Sequence, residues 1–325
     1  MGDLLAFPAA LCWAASGATI ALGATDKEAD NGAFLSILVT LLLSAAVWLV
    51  LGRQAGAPML NGQGMVWFAV AGALTIFVGR VFFHSSVQWP GSVRGSSVKR
   101  MAPFFSVLLG VTLLDEPVTQ RLVLGMVLIF GGFGILIRES VMARAKTEPA
   151  TTDAAPVEKG LWSDPGLVYG TISALAYAAG NIARKFGLLH MPDPALGVLV
   201  GSITGAILFV ATALVGHSYR AAVWSTFHKF NPWLLGAGVL ASAGQLLFFA
   251  AIDLSTVSLV ALIGSTEVFL TMLIVVLLVR NRENVTLSVV AAAVLGLIGA
   301  GVILTDRPPA VVALKQSVLA PRPAP

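Results

Sequence analysis

Charge is scarce in this chain: Asp, Glu, Lys and Arg make up 11% of its 325 residues, about half the share of an ordinary soluble domain. So few charges cannot cover a water-facing surface, and with 57% hydrophobic residues the composition is that of a protein surrounded by lipid. Cysteine is almost absent. The one thiol, Cys12, lies within an apolar run, which excludes an intramolecular disulfide framework. The first apolar run is preceded by Asp3 and by no Lys or Arg, so a retained helix is expected there rather than a secretory signal with its basic leader.

Other absences narrow the function. No GxxxxGK[ST] phosphate loop occurs, so ATP is not the expected energy source. The four histidines, at 84, 190, 217 and 228, lack metal-ligand spacing, and no Ser/His/Asp arrangement falls within the apolar runs. Neither an enzyme nor a metal or other cofactor is expected. Lys and Arg form no basic run with interleaved aromatics, so nucleic acid is not an expected partner.

What is present is a series of apolar windows, each near the roughly 20 residues that span a bilayer as a helix. Ten recur, with cores near 4–22, 33–51, 65–84, 91–113, 121–138, 165–187, 195–215, 232–251, 256–279 and 286–305. The fold class expected is therefore an all-α polytopic membrane protein with ten transmembrane helices. The longest polar stretch, 139–164, is rich in Ala, Thr, Pro and mixed charge and reads as a linker between a first half, 1–138, and a second, 165–305. The tail 306–325 is Pro-rich and expected to be disordered.

The two halves match without gaps at an offset of 167: Phe82 with Phe249, Val93 with Val260, Glu116 with Glu283, Thr119 with Thr286, Val127 with Val294, Gly132 with Gly299 and Gly134 with Gly301. Nearer the start of each half the offset is 164, pairing Trp13-Ala14-Ala15 with Tyr177-Ala178-Ala179. Five spans per repeat is an odd number, so the second half must insert upside down relative to the first. That is the inverted-repeat plan of secondary transporters.

These features resemble the drug/metabolite transporter superfamily, in its EamA-like branch, over about residues 4–305. The most specific piece is an acidic residue before a short turn and an apolar helix with a Gly-rich end: Glu116, Thr119, Gly125, Gly131, Gly132 and Gly134. In the second half Glu283 and Thr286 are present, but Ala292 stands where a glycine is usual. The resemblance implies a substrate cavity between the halves, alternating access without ATP, and residence in the inner membrane of the cell.

Polar residues spaced three and four apart share one face of a helix. The fourth window carries Ser92, Ser96, Lys99, Arg100, Pro103 and Ser106 on such a face, with Arg94 off it. Pro103 lacks an N–H, so a kink that frees the carbonyl of Lys99 is expected. The sixth window gives Ser173, Tyr177, Asn181 and Arg184; the eighth gives Ser242, Gln245, Phe249 and Asp253; the ninth gives Gly264, Glu267 and Thr271. Trp13, Ser16 and Gly17 line up in the first, and Arg80 and His84 in the third.

A charge near the bilayer centre costs about 2.5–3.5 kcal/mol on insertion scales, so such residues turn to a cavity or a partner. The candidate substrate-binding residues are accordingly Lys99, Arg100, Glu267, Gln245, Asn181, Tyr177 and Trp13. Lys99 and Arg100 suggest a carboxylate or phosphate on the substrate. Offset 167 places Arg100 on Glu267, so the two are expected to pair and to close or line the cavity, with substrate competing for Arg100, or a proton for Glu267, during the cycle. Glycines at 197, 201, 205, 131, 132, 134, 296, 299 and 301 are expected to allow close helix contact.

The expected function is secondary transport of a small polar metabolite such as an amino acid, organic acid or other anion. The rival reading is a non-transporting polytopic receptor or scaffold. With the N-terminus cytoplasmic, that side holds seven cations, Arg184 and Lys185 among them, against nine on the other. Charge counting thus favours both termini outside, and the resemblance implies both inside; the latter orientation is retained.

Overall fold

The computed structural model describes residues 2–23, 32–52, 60–79, 82, 100–147, 165–228, 231–278 and 287–306, and every regular element among them is a helix. In chain order they are α1 (Gly2–Gly23), α2 (Ala33–Val47, prolonged by a π-helical turn at Trp48–Gly52), α3 (Gly62–Gly72, prolonged likewise over Ala73–Gly79), α4 (Ala102–Leu114) and α5 (Gln120–Thr147). The second half has α6 (Pro165–His190), α7 (Pro194–Val215), α8 (His217–His228), α9 (Pro232–Leu254), α10 (Val257–Gly264), α11 (Glu267–Leu278) and α12 (Leu287–Leu304).

Seven described stretches are long and apolar enough to cross a bilayer: α2 and α3 with their prolongations, the Gln120–Glu139 part of α5, α7, α9, the pair α10–α11 over Val257–Ile274, and α12. The protein is therefore a polytopic, multi-pass membrane protein. Shorter apolar stretches occupy Leu4–Ile20 and Ala102–Leu114, and α6 carries Asn181, Arg184 and Lys185 within its length.

Helix starts follow local chemistry. Asp193 precedes Pro194 and its Oδ1 accepts from the Leu196 N–H at 2.9 Å; Asn231 precedes Pro232 and accepts from the N–H of Trp233 at 2.9 Å. Each pair is a capping side chain followed by a proline whose missing N–H is no loss in the first turn.

The structure departs from the sequence reading in several places. The chain turns at Arg100 and Met101 and α4 begins at Ala102, so Pro103 sits in a first helical turn and makes no mid-helix kink. The ninth window is two helices, broken at Ser265 and Thr266. Helix α8 lies where only a polar gap was expected, and α5 runs on to Thr147. Asp306 is buried and accepts from the Thr119 hydroxyl, so it belongs to the fold and not to the tail. Arg80, His84, Ser92, Arg94, Ser96, Lys99, Glu283, Thr286, the rest of the linker (148–164) and the tail 307–325 lie outside the described residues.

Packing partners exchange when the halves are swapped. Helix α1 packs on α9, and its counterpart α6 packs on α3; α2 packs on α9, and α7 on α3; α4 packs on α6, and α10–α11 on α1. Three contacts map onto themselves: α2 with α7, α5 with α12, and α4 with α10.

The α5–α12 crossing keeps the same register in detail. A Cβ on Gly132 would stand 2.8 Å from the Ala292 carbonyl oxygen, and one on Gly299 would stand 2.8 Å from that of Gly125. At offset 167 these are one contact seen twice. A Cβ on Gly125 would meet the Gly299 oxygen at 2.8 Å as well as Ile303. Gly134 and Gly301 face open space, against the expectation that they pack.

Gly125→Leu is therefore expected to wedge α5 from α12 and to cost about 1–3 kcal/mol of overpacking. Gly134→Leu should leave folded yield and Tm at wild-type values. Size-exclusion profiles and Tm in detergent check both, and equal behaviour of the two variants would refute this account of the crossing.

Candidate functional site

A cavity of about 550 Å³ lies between the halves, walled by α1, α2, α3, α4, α6, α7, α9 and α10–α11 around its break, with Phe133 of α5. Six of the seven residues singled out from sequence line it: Trp13, Arg100, Tyr177, Asn181, Gln245 and Glu267. The seventh, Lys99, lies outside the described residues. Each of the six is half-buried, as befits a side chain with one face in protein and one on a cavity.

Their settings differ. The Trp13 indole N–H donates to the Ala241 carbonyl at 3.3 Å, and its ring lies 5.0 Å from that of Phe248. Asn181 satisfies both ends of its amide, donating to Ser106 Oγ at 3.2 Å and accepting from Arg184 Nη1 at 3.2 Å. Gln245 has no hydrogen-bond partner among the described residues and lines the cavity, where its amide leaves donors and an acceptor for a ligand. Glu267 is the first residue of α11, directly after the break. Arg100 sits in the turn before α4, and the charge of Glu267 acts on its guanidinium.

Sequence reasoning missed Arg184. It was counted among loop cations, yet it lies inside α6, buried, on the cavity wall. The stripe Ser173, Tyr177, Asn181, Arg184 already held the signal, because Arg184 continues the face of Asn181. Lys185, counted with it, is also buried in α6 and donates to the carbonyls of Ile252 at 2.7 Å and Ser255 at 2.8 Å. It thereby caps the C-terminal end of α9. With both removed from the loops, five cations remain of the seven assigned to the N-terminal side.

Not every stripe residue reaches the cavity. The Ser173 hydroxyl donates to the Gly79 carbonyl at 2.7 Å, and that of Thr271 donates to Glu267 in its own helix at 2.7 Å. Ser16, Thr40, Thr75 and Ser106 add hydroxyls to the wall.

One end of the molecule is tightly knit. There Glu116 Oε1 accepts from the Val257 N–H at 2.6 Å, and Oε2 from the Ser258 N–H at 2.9 Å and its hydroxyl at 2.5 Å. Thr119 donates to Asp306, Arg121 to the Thr305 carbonyl, and Trp48 Nε1 to Asp193 Oδ2 at 3.0 Å. A Cβ on Gly2 would touch Ala251, Leu254 and Ser255, so the N-terminus of α1 belongs to this end. The α1, α2 and α4 wall residues, including Ile20, Ser36 and Arg100, lie toward the opposite end.

The chain matches the EamA-like transporter family over residues 1–138 and 164–305. The uncharacterized protein PA1977 of Pseudomonas aeruginosa is 28% identical over 95 residues, which is 29% of this chain and 33% of that relative. A solved crystal structure of a protein aligns with a TM-score of 0.63 at 19% identity, covering 94% of this chain and 98% of the other. That likeness establishes the fold.

Proposed function

The chain belongs to the EamA-like transporter family, and from that premise we propose that this membrane transporter, of the drug/metabolite type, is a secondary carrier of a small polar metabolite with an acidic group. The observation that carries the reading is the cavity, whose described wall holds two cations, Arg100 and Arg184, against one carboxylate, Glu267. An organic acid, an amino acid or another small anion suits that balance. The family is one of transporters rather than enzymes.

The proposed mechanism is alternating access by two inverted five-helix repeats. The offset-167 register, the exchange of packing partners and the break at Ser265, which lines the same cavity as Arg100, all support it. In this conformation the end at Gly2 is latched and the cavity lies toward the other. The proposed setting is the inner membrane with both termini cytoplasmic, which makes the latched end the cytoplasmic one.

Thermal denaturation of the purified protein with anionic, zwitterionic and cationic metabolites tests the substrate class. A ligand at 100 times its Kd stabilises the native state by about 2.7 kcal/mol, so anionic or zwitterionic compounds are expected to raise Tm. Hits are then assayed for uptake into proteoliposomes. Stabilisation by cationic compounds alone would refute the proposed class, and binding without uptake by any hit would favour a receptor.

A further inference from the structure

Arg184 is 5% exposed and sits at the end of the cavity wall nearest the latch, one residue before the lysine that caps α9. A guanidinium presents five N–H donors and needs acceptors for them once it leaves water. Nη1 donates to Asn181 Oδ1 at 3.2 Å and Nη2 to Thr75 Oγ1 at 3.1 Å. Both acceptors are neutral and both bonds are long for a charged donor. Nε is buried with no partner. The Phe249 and Phe248 rings lie 4.8 Å and 5.5 Å from the guanidinium carbon, which holds the cation by its face and leaves its edge wanting.

Buried polar groups are nearly always paired, so an orphaned donor on a cavity wall marks capacity held for something else. An arginine that served packing alone would be expected to end on a carboxylate or on several carbonyls. Among the described residues no carboxylate bonds this one. Gln245 and Tyr177 line the same cavity.

We propose that Arg184 is the anchor for the acidic group of the substrate. A carboxylate or phosphate displaces Thr75 and accepts from Nε and Nη2 along one edge of the guanidinium as a bidentate partner, while Asn181 keeps Nη1. Thr75 belongs to the first half and Arg184 to the second, so this exchange also releases a bond between the halves. The proposal rests on the carrier reading above and assigns its chemistry to one residue.

The test uses full-length protein in lipid-free detergent, with succinate, L-glutamate and inorganic phosphate as probes and succinamide as the neutral control. At least one anion is expected to raise the wild-type Tm, and Arg184→Gln to weaken that anion at least tenfold. Arg184→Lys, which keeps the charge but not the fork, should retain part of the binding. Wild-type affinity in a folded Arg184→Gln protein would overturn the proposal, as would stabilisation by succinamide equal to that by succinate. If neither variant is recovered folded, the wild-type comparison of anions with succinamide decides. Dihexanoyl phosphatidylglycerol separates a lipid headgroup from a solute, and stabilisation by it alone would overturn the solute assignment. Anion binding that needs Arg184, in protein that takes up no solute into liposomes, would uphold the anchor while removing the carrier reading.

Discussion

Glu116→Ala is expected to lower Tm by roughly 5–10 °C, because it unmakes the latch. The carboxylate, 4% exposed, accepts three hydrogen bonds at the N-terminus of α10. Two of its donors are backbone N–H groups that no residue within α10 can satisfy. Removing a buried acceptor leaves those donors unpaired, at about 1–3 kcal/mol each, and also removes a charge favoured by the helix dipole. Glu116→Gln should rescue little, since its NH2 would point a donor at donors. Gly110→Ala should mimic the loss, because its Cβ would stand 2.6 Å from Glu116 Oε2 and 2.7 Å from Ser258 Oγ. The latch joins the turn after α4, in the first half, to α10 in the second, so weakening it should also expose that end. In a Cys12→Ala background a cysteine placed by Ser255→Cys, at a position 2% exposed, should react with maleimide much faster when Glu116 is alanine. A wild-type Tm and an unreactive thiol would refute the latch.

The same physics decides what was legible in the sequence. Apolar windows and their repeat register are long-range averages, and α2, α3, α5, α7, α9 and α12 stand where those averages put them. The polar stripes converge because a lipid-facing helix has only one place to put an amide or a charge. Trp13, Tyr177, Asn181, Gln245, Arg100 and Glu267 consequently reach one cavity from five windows, two in the first half and three in the second. Local breaks were harder to see. The span Val257–Ile274 stays apolar enough on average to cross a bilayer despite Ser265, Thr266 and Glu267, yet the side chains of Ser265 and Thr266 bond back to the carbonyls of Leu262 and Ile263 at 2.6 Å, which ends α10. Helix α8 was hidden by its composition, since HSYRAAVWSTFH mixes polar and aromatic residues too evenly to look like a span. Arg184 was misread because a charge counter sees a cation near a window's edge, whereas the helix runs past it to His190.

Exchanging the charges of Arg100 and Glu267 should have unequal effects in its two steps. Glu267 opens α11, where a carboxylate is favoured by the unpaired N–H groups and the dipole. Arg100 lies two residues before α4, where a cation faces the same positive helix end unless an anion is near. Glu267 lines the same cavity, and its charge acts on Arg100. Glu267→Arg therefore sets cations at both helix starts as well as against each other, and is expected to lose most folded yield. Arg100→Glu puts a carboxylate at a favoured helix start, opposed only by its like neighbour, and should fold better while transporting at least tenfold more slowly. The double exchange restores opposite signs and should recover yield over Glu267→Arg. Transport is expected to stay low, because one of the cavity's two cations then stands in a different place relative to Arg184 and to the substrate's acidic group. Size-exclusion yield and proteoliposome uptake measure the two effects separately. Normal uptake by both single variants would show that neither charge faces the transported solute. We propose that Glu267 carries a coupling proton, and this has its own readout: uptake should depend on an imposed pH gradient, and Glu267→Gln should abolish that dependence while leaving counterflow exchange of substrate intact; uptake indifferent to the gradient, or a dependence that survives Glu267→Gln, would take the proton away from Glu267.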